Sequence, residues 1–215
     1  MKFCWLALLM SLSLSSTAHA ESTAAPDPNE PIDVPFARDL VAGHVQVGAS
    51  AAYAIPFGRL SNDSAHTARA GHAGEFGGEV NYGLDRFVFL GAYGSYTLAG
   101  ESQPCNDCSG SGWTAGIQFV YHLAQGLRID PWVSYGLGYR SLKTQDNDGD
   151  YSYGGIDWMR LAIGTNWFVS RNFAVSPFGQ FSAGTTVVVP QGEKAGATDL
   201  QFQFGLRLLL DVPGR

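Results

Sequence analysis

The sequence predicts an all-β chain, an eight-stranded antiparallel up-and-down transmembrane β-barrel, and three observations carry that prediction. The first is the run from Asp199 to Asp211. Leu200, Phe202, Phe204, Leu206, Leu208 and Leu210 share one parity, and Gln201, Gln203, Gly205 and Arg207 the other, with Leu209 the only apolar intruder. Successive strand side chains point to opposite faces, so the run has one greasy and one polar face. It is long enough for a tilted strand to cross a bilayer, which takes roughly 9–11 residues. The second observation is a regular alternation of long and short connections, the pattern of a barrel with long loops on one side of a membrane and tight turns on the other. The third is composition. Charged residues are 15%, against about 25% in soluble domains, and 27 of the 215 residues are Gly. No stretch approaches the ~20 consecutive apolar residues of a membrane helix.

Taken in order, the chain opens with a secretory signal. Lys2 supplies a positive start, Trp5 to Leu14 an apolar run, and Ala18-His19-Ala20 a cleavage site, so cleavage is expected after Ala20. Cys4 precedes the apolar run, which argues against a lipid-anchored cysteine. Residues 21–42 carry Pro26, Pro28, Pro31 and Pro35 among small and acidic residues and read as a disordered periplasmic leader. The barrel domain is expected over residues 43–212.

In the first strand, His44 to Ile55, Val45, Val47, Ala49, Ala51, Tyr53 and Ile55 oppose His44, Gln46, Gly48 and Ser50. A long polar loop, Pro56 to His72, leads to the second, where Phe76, Val80, Tyr82 and Leu84 oppose Glu75, Glu79 and Asn81. After a tight turn at Asp85-Arg86, the third strand, Phe87 to Leu98, is apolar on both parities and leaves its faces unassigned. A loop from Ala99 to Ser111 precedes the fourth, where Trp113, Ala115, Ile117, Phe119 and Tyr121 oppose Thr114, Gly116, Gln118 and His122. The fifth sets Leu127, Ile129, Val133, Tyr135, Leu137 and Tyr139 against Arg128, Asp130, Ser134, Gly136, Gly138 and Arg140. Leu142 to Gly155 reads as an acidic loop. In the sixth strand, Met159, Leu161, Ile163, Thr165 and Trp167 oppose Trp158, Arg160, Ala162, Gly164 and Asn166. A turn at Ser170-Arg171-Asn172, a seventh strand from Phe173 to Ala183 and a loop to Thr198 complete the path to the eighth.

The signal, the eight alternating strands and the long and short connections resemble the small outer-membrane barrel proteins of OmpA/OmpX type. The Gly-and-aromatic segment Pro131-Trp-Val-Ser-Tyr-Gly-Leu-Gly-Tyr139 is similar to one such barrels often carry. The resemblance spans about residues 43 to 212. It implies a bacterial outer-membrane location with both termini in the periplasm, and it speaks to fold more than to activity. Such proteins commonly end on an aromatic residue, whereas this chain ends Asp211-Val-Pro-Gly-Arg215, which leaves Phe204 and Leu206 as the inner candidates for that role. A soluble lipocalin-like barrel alternates in the same way. It is disfavoured because Arg160 and Arg207 share the polar parity, whereas on a lipid face each would cost ~2–4 kcal/mol. Trp113, Tyr121, Tyr139 and Trp167 sit near strand ends on the apolar parity, as interfacial girdles require.

Candidate chemistry is sparse. Cys105-Asn-Asp-Cys108 is expected to be a small disulfide, because the envelope is oxidising and neither a redox-active helix start nor two more zinc ligands accompany it. Asp146, Asp148, Asp150 and Asp157 resemble a calcium loop, but Gly149 stands at the fourth place rather than the sixth, and a solvated acidic loop is the favoured reading. His66 and His72, near Asp63 and Glu75, read as exposed loop histidines, and His44 and His122 as hydrogen-bonded rim residues. Glu79, Arg128, Asp130, Arg160 and Arg207 are expected to be structural charges in the lumen, with Glu79, Arg160 and Arg207 at comparable depth.

The function expected is an integral outer-membrane protein with a structural or surface-interaction role, a closed lumen and no catalysis. Outer-membrane lipid and a cell-surface ligand held through the loops are the expected partners, with the chain itself a monomer. A net charge of −6 argues against nucleic acid, and no cofactor is expected. The alternative is a carrier of small apolar ligands through the barrel mouth, motivated by Trp132, Trp158 and Phe178 on inner parities. A lipid-modifying hydrolase stands third, because no serine–histidine pairing sits on a strand at a fixed spacing.

Overall fold

In the computed structural model, which describes residues 42–62, 65, 71–85, 87–100, 109–124, 129–146 and 149–212, the alternating segments are strands. They are β1 (Val45–Pro56), β2 (Ala73–Gly83), β3 (Val88–Ala99), β4 (Ser109–His122), β5 (Ile129–Asp146), β6 (Gly149–Phe168), β7 (Phe173–Val188) and β8 (Thr198–Val212). They form a closed barrel in sequence order, every pair antiparallel, with β1 also paired to β8. Tight turns close the end that carries both strand termini of the barrel. At one of them Val169 and Ser170 donate their N–H groups to Phe173 O, and the Ser170 hydroxyl accepts from Phe173 N at 3.1 Å, the usual role of a short polar side chain in a turn.

The ladder fixes the shape of the barrel. Starting at Gln46 and stepping across directly paired residues, one meets Asn81, Gly91, Gln118, Gly136, Arg160, Ser182 and Gln201, and returns to β1 at Pro56. The circuit closes ten residues further along β1. A stagger of ten residues over eight strands tilts them by about 40° to the barrel axis. All of these residues sit on the inner parity, so the path also traces the lumen wall.

The two parities part as the alternation predicts. Leu206, Leu208, Leu210, Phe204, Ile163, Ile117 and Val80 face outward and are exposed, whereas Gln201, Gln203, Arg207, Gln118 and Asn81 are buried inside. Each strand presents one aromatic ring outward toward the long-loop end: Tyr53, Phe76, Tyr96, Trp113, Tyr139, Trp158, Phe181 and Phe202. Tyr82, Tyr121 and Trp167 mark the short-turn end. An apolar belt between two aromatic collars is the exterior of a membrane-spanning barrel.

Three expectations are corrected, and one open assignment is filled. Leu142 to Gly155 is not a loop: β5 and β6 stay paired up to Asp146↔Gly149, and Gly149, at φ 143°, turns the chain at the hairpin tip, a conformation glycine adopts without steric cost. β7 likewise continues to Val188 rather than Ala183. Trp158 faces outward, 45% exposed, because β6 carries a bulge between Asp157 and Met159. The extra residue reverses the parity above it, so Asp157 and Tyr153 face inward there. The faces of β3 are now clear: Phe89 and Tyr93 point inward, Leu90, Tyr96 and Leu98 outward.

Candidate functional site

The lumen is the chemically distinctive part of the molecule, and it is built in levels. At the short-turn end, Phe168, Ala174 and Leu209 form one buried apolar cluster, and Phe89, Val120, Trp132 and Ala162 a second, with Phe178 packed against it. Leu209, the apolar intruder of β8, is therefore core. Two buried pairs border these clusters. His44 Nδ1 lies 2.9 Å from Asp211 Oδ1, which also accepts from Gln46 at its second oxygen, and His122 Nδ1 lies 2.8 Å from Asp130 Oδ2. The first pair closes the seam where β1 meets β8.

Above them lie three levels, each centred on one arginine. Arg207 donates to Glu79 Oε1 at 2.7 Å and to Asn166 Oδ1 at 2.8 Å, and its guanidinium lies 4.1 Å from the centre of the Trp132 ring. Glu79 accepts further bonds from Asn81 and Gln118. In the next level Arg160 donates to Gln180 at 2.9 Å, stands 4.0 Å from Glu75, and stacks 4.0 Å from the centre of Tyr93. Gln180 donates to Gln203, and Gln203 to Glu75 at 2.6 Å. In the outermost level Arg140 donates to Asp199 at 2.7 Å, to Asp157 at 3.0 Å and to Ser182 at 3.0 Å. Charged groups removed from water need such paired, planar donors, and arginine supplies them. Glu75, the weakest ion pair, is held instead by neutral donors, Gln203 and Thr97.

Among the described residues, part of the long-loop end is covered. Residues 57–62 leave β1 and run along the approach to β8, with Phe57 N donating to Leu200 O, Arg59 N to Thr198 O and Asn62 N to Lys194 O. This carries Leu60, 2% exposed, onto Leu142 and Tyr153 to make a third apolar cluster. Arg140 borders two small pockets there, each with about 20 Å³ of accessible space, room for little more than a single water apiece.

The expected site residues fall as follows. Glu79 and Arg207 pair as lumen charges, but Arg160 belongs to the level above with Glu75, so the three do not share one depth. Asp130 pairs with His122. Arg140, Asp199 and Glu75 complete the stack and were not singled out from sequence, although all sit on polar parities. Of the calcium candidates, Asp157 is in the lumen on Arg140, and Asp150 is exposed at the hairpin tip. Among the described residues no group of three or more His, Cys, Asp or Glu is placed to hold a metal. His72 is exposed and stacks on Tyr53 at 5.5 Å. Trp132 and Phe178 are packed rather than open, and Trp158 is outside. Residues 1–41, His66, Cys105, Cys108, Arg128 and Asp148, together with the side chain of Asp146, lie outside the described residues.

Fold and lumen together define the class: the chain has the architecture of the small eight-stranded outer-membrane barrels. It is similar to Neisserial surface protein A (NspA), with a TM-score of 0.59 and 11% identity over 78% of this chain and 98% of that one. It also matches the N-terminal β-barrel domain of Pseudomonas aeruginosa OprF (TM-score 0.49, 15% identity, 79% and 98% covered) and Ail, the attachment invasion locus protein of Yersinia pestis (0.49, 10%, 79% and 99%). No family model and no curated protein matches the sequence. At these identities the likeness is one of fold.

Proposed function

We propose that this chain is an integral outer-membrane protein that conducts no solute and acts through its long-loop end, as a surface for interaction. The observation that carries the proposal is the lumen: three arginine-centred levels lie between apolar clusters at both ends. An eight-stranded barrel has an interior just wide enough for side chains to fill, and here they fill it with bonded ones. What remains for contact with other molecules is the rim. There the paired ends of β4, β5 and β6 border an open groove of about 630 Å³ lined by Ser109, Ser111, Lys143, Asp150, Tyr151 and Ser152, within the ~300–1,000 Å³ of small-molecule sites.

Cell fractionation tests the membrane part of the proposal. The protein is expected to stay in the envelope pellet through an alkaline carbonate wash and to require detergent for release. Recovery in the soluble periplasm would overturn it.

A further inference from the structure

The lipid-facing wall is not evenly covered. On it runs an in-register row of large side chains, Phe119, Tyr135, Leu161 and Phe181, each paired with the next across β4 to β7. The row continues to Phe202 on β8. The neighbouring row toward the short-turn end holds Ile163 paired with Gly179. Gly179 leaves a gap there: a Cβ built on it would meet nothing nearer than 4.0 Å. Between the rows lies an apolar groove of about 560 Å³.

We propose that this groove seats one acyl chain of a membrane lipid. The proposal rests on the reading of the chain as a membrane barrel. The course of the groove identifies the occupant. Because the ladder climbs ten residues toward the long-loop end in one circuit, a row crossing half the barrel climbs about five, obliquely through the belt. Its upper end is at Phe181 and Phe202, members of the aromatic collar, and its lower end is at Phe119, beside the collar residue Tyr121. A lipid with its headgroup at the upper collar would lay one tail down this path. The groove offers no charged side chain to a polar partner, and the medium outside the belt is hydrocarbon.

Native mass spectrometry of the purified full chain, in micelles doped with a saturated phosphatidylethanolamine, tests the assignment. The variants are Gly179→Phe and Gly179→Leu, which fill the gap. Gly94→Phe is the control, on the far wall, where an added Cβ meets only Thr114 O at 3.8 Å. Heat-modifiable gel migration reports whether each variant is a folded barrel. The wild type and Gly94→Phe are expected to keep one lipid, and both Gly179 variants to lose retention about tenfold. Folded wild type without lipid, or equal retention by all variants, would overturn the seat while leaving the membrane reading intact. A dimer abolished by Gly179→Phe would assign the groove to a second copy instead. A wild type that does not enter micelles as a folded barrel would overturn the membrane reading as well.

Discussion

Glu79 lies inside a barrel wall with 15% of its side chain accessible, and its two oxygens accept from Arg207, Asn81 and Gln118. Removing the carboxylate leaves Arg207, 5% accessible, with a charge its remaining partner Asn166 cannot neutralise. Glu79→Ala is therefore expected to cost about 3 kcal/mol, as stranding one member of a buried pair does. Glu79→Gln, which keeps acceptor capacity, should cost less. Urea titration followed by heat-modifiable migration measures both, and equal stability of Glu79→Ala and wild type would contradict the pairing. Gly138 makes a second test. A Cβ there would stand 2.5 Å from the Tyr93 hydroxyl and 2.7 Å from Ala115 O, so the position is glycine to admit Tyr93 across the lumen. Gly138→Ala is expected to destabilise by about 1–3 kcal/mol through overpacking, and Gly138→Ala combined with Tyr93→Phe should recover part of it in the same titration. At this scale parity shows which side chains face inward wherever the ladder is regular, but not which of them meet. Glu79, Arg160 and Arg207 sit on polar parities, yet which partner each one meets depends on a stagger of ten residues that no single strand records.

Among the elements, β6 shows where alternation stops being a guide. Its lower half reads correctly from Arg160 to Asn166, and the bulge then places Trp158 in the outer collar and Asp157 against Arg140. Asp157 pairs with Gly138 and Arg160 with Gly136, so β6 spends one residue more than β5 over that interval. Deleting Trp158 should therefore restore regular pairing and keep both Asp157 and Arg160 inside. Deleting Ile163 should turn part of β6 inside out, because a one-residue slip moves side chains to the other face. The expected outcome is a folded, heat-modifiable barrel for the first deletion and none for the second; the reverse ranking would refute the bulge. The outer parts of β5 and β6 were illegible as strands for a related reason. Beyond the belt, outward positions such as Lys143, Gln145, Asp150 and Ser152 are polar and exposed, so the pattern that marks a membrane strand is gone although the ladder continues. β3 was ambiguous because Phe89 and Tyr93 fill the lumen while Leu90, Tyr96 and Leu98 cover the belt. By contrast, β8 has the faces its alternation indicates, and Leu209, the apolar intruder on its polar parity, faces inward as core.

For the whole molecule, the arrangement is a polar column between apolar closures. Arg207 rests on Trp132, Arg160 on Tyr93, and Arg140 bridges β6 and β8 beneath Leu60, Leu142 and Tyr153. Each level ties strands that are not ladder neighbours, as Glu79 on β2 meets Arg207 on β8 past β1 and Arg140 on β5 meets Asp199 on β8. Such bonds link strands across the lumen, and under the proposed reading they occupy the route a solute would take. Planar-bilayer recording of the purified, unmodified protein tests this claim most directly. The account predicts that insertion, verified by heat-modifiable migration, produces no steady conductance. Steady, large channel currents from the inserted wild-type barrel would contradict it.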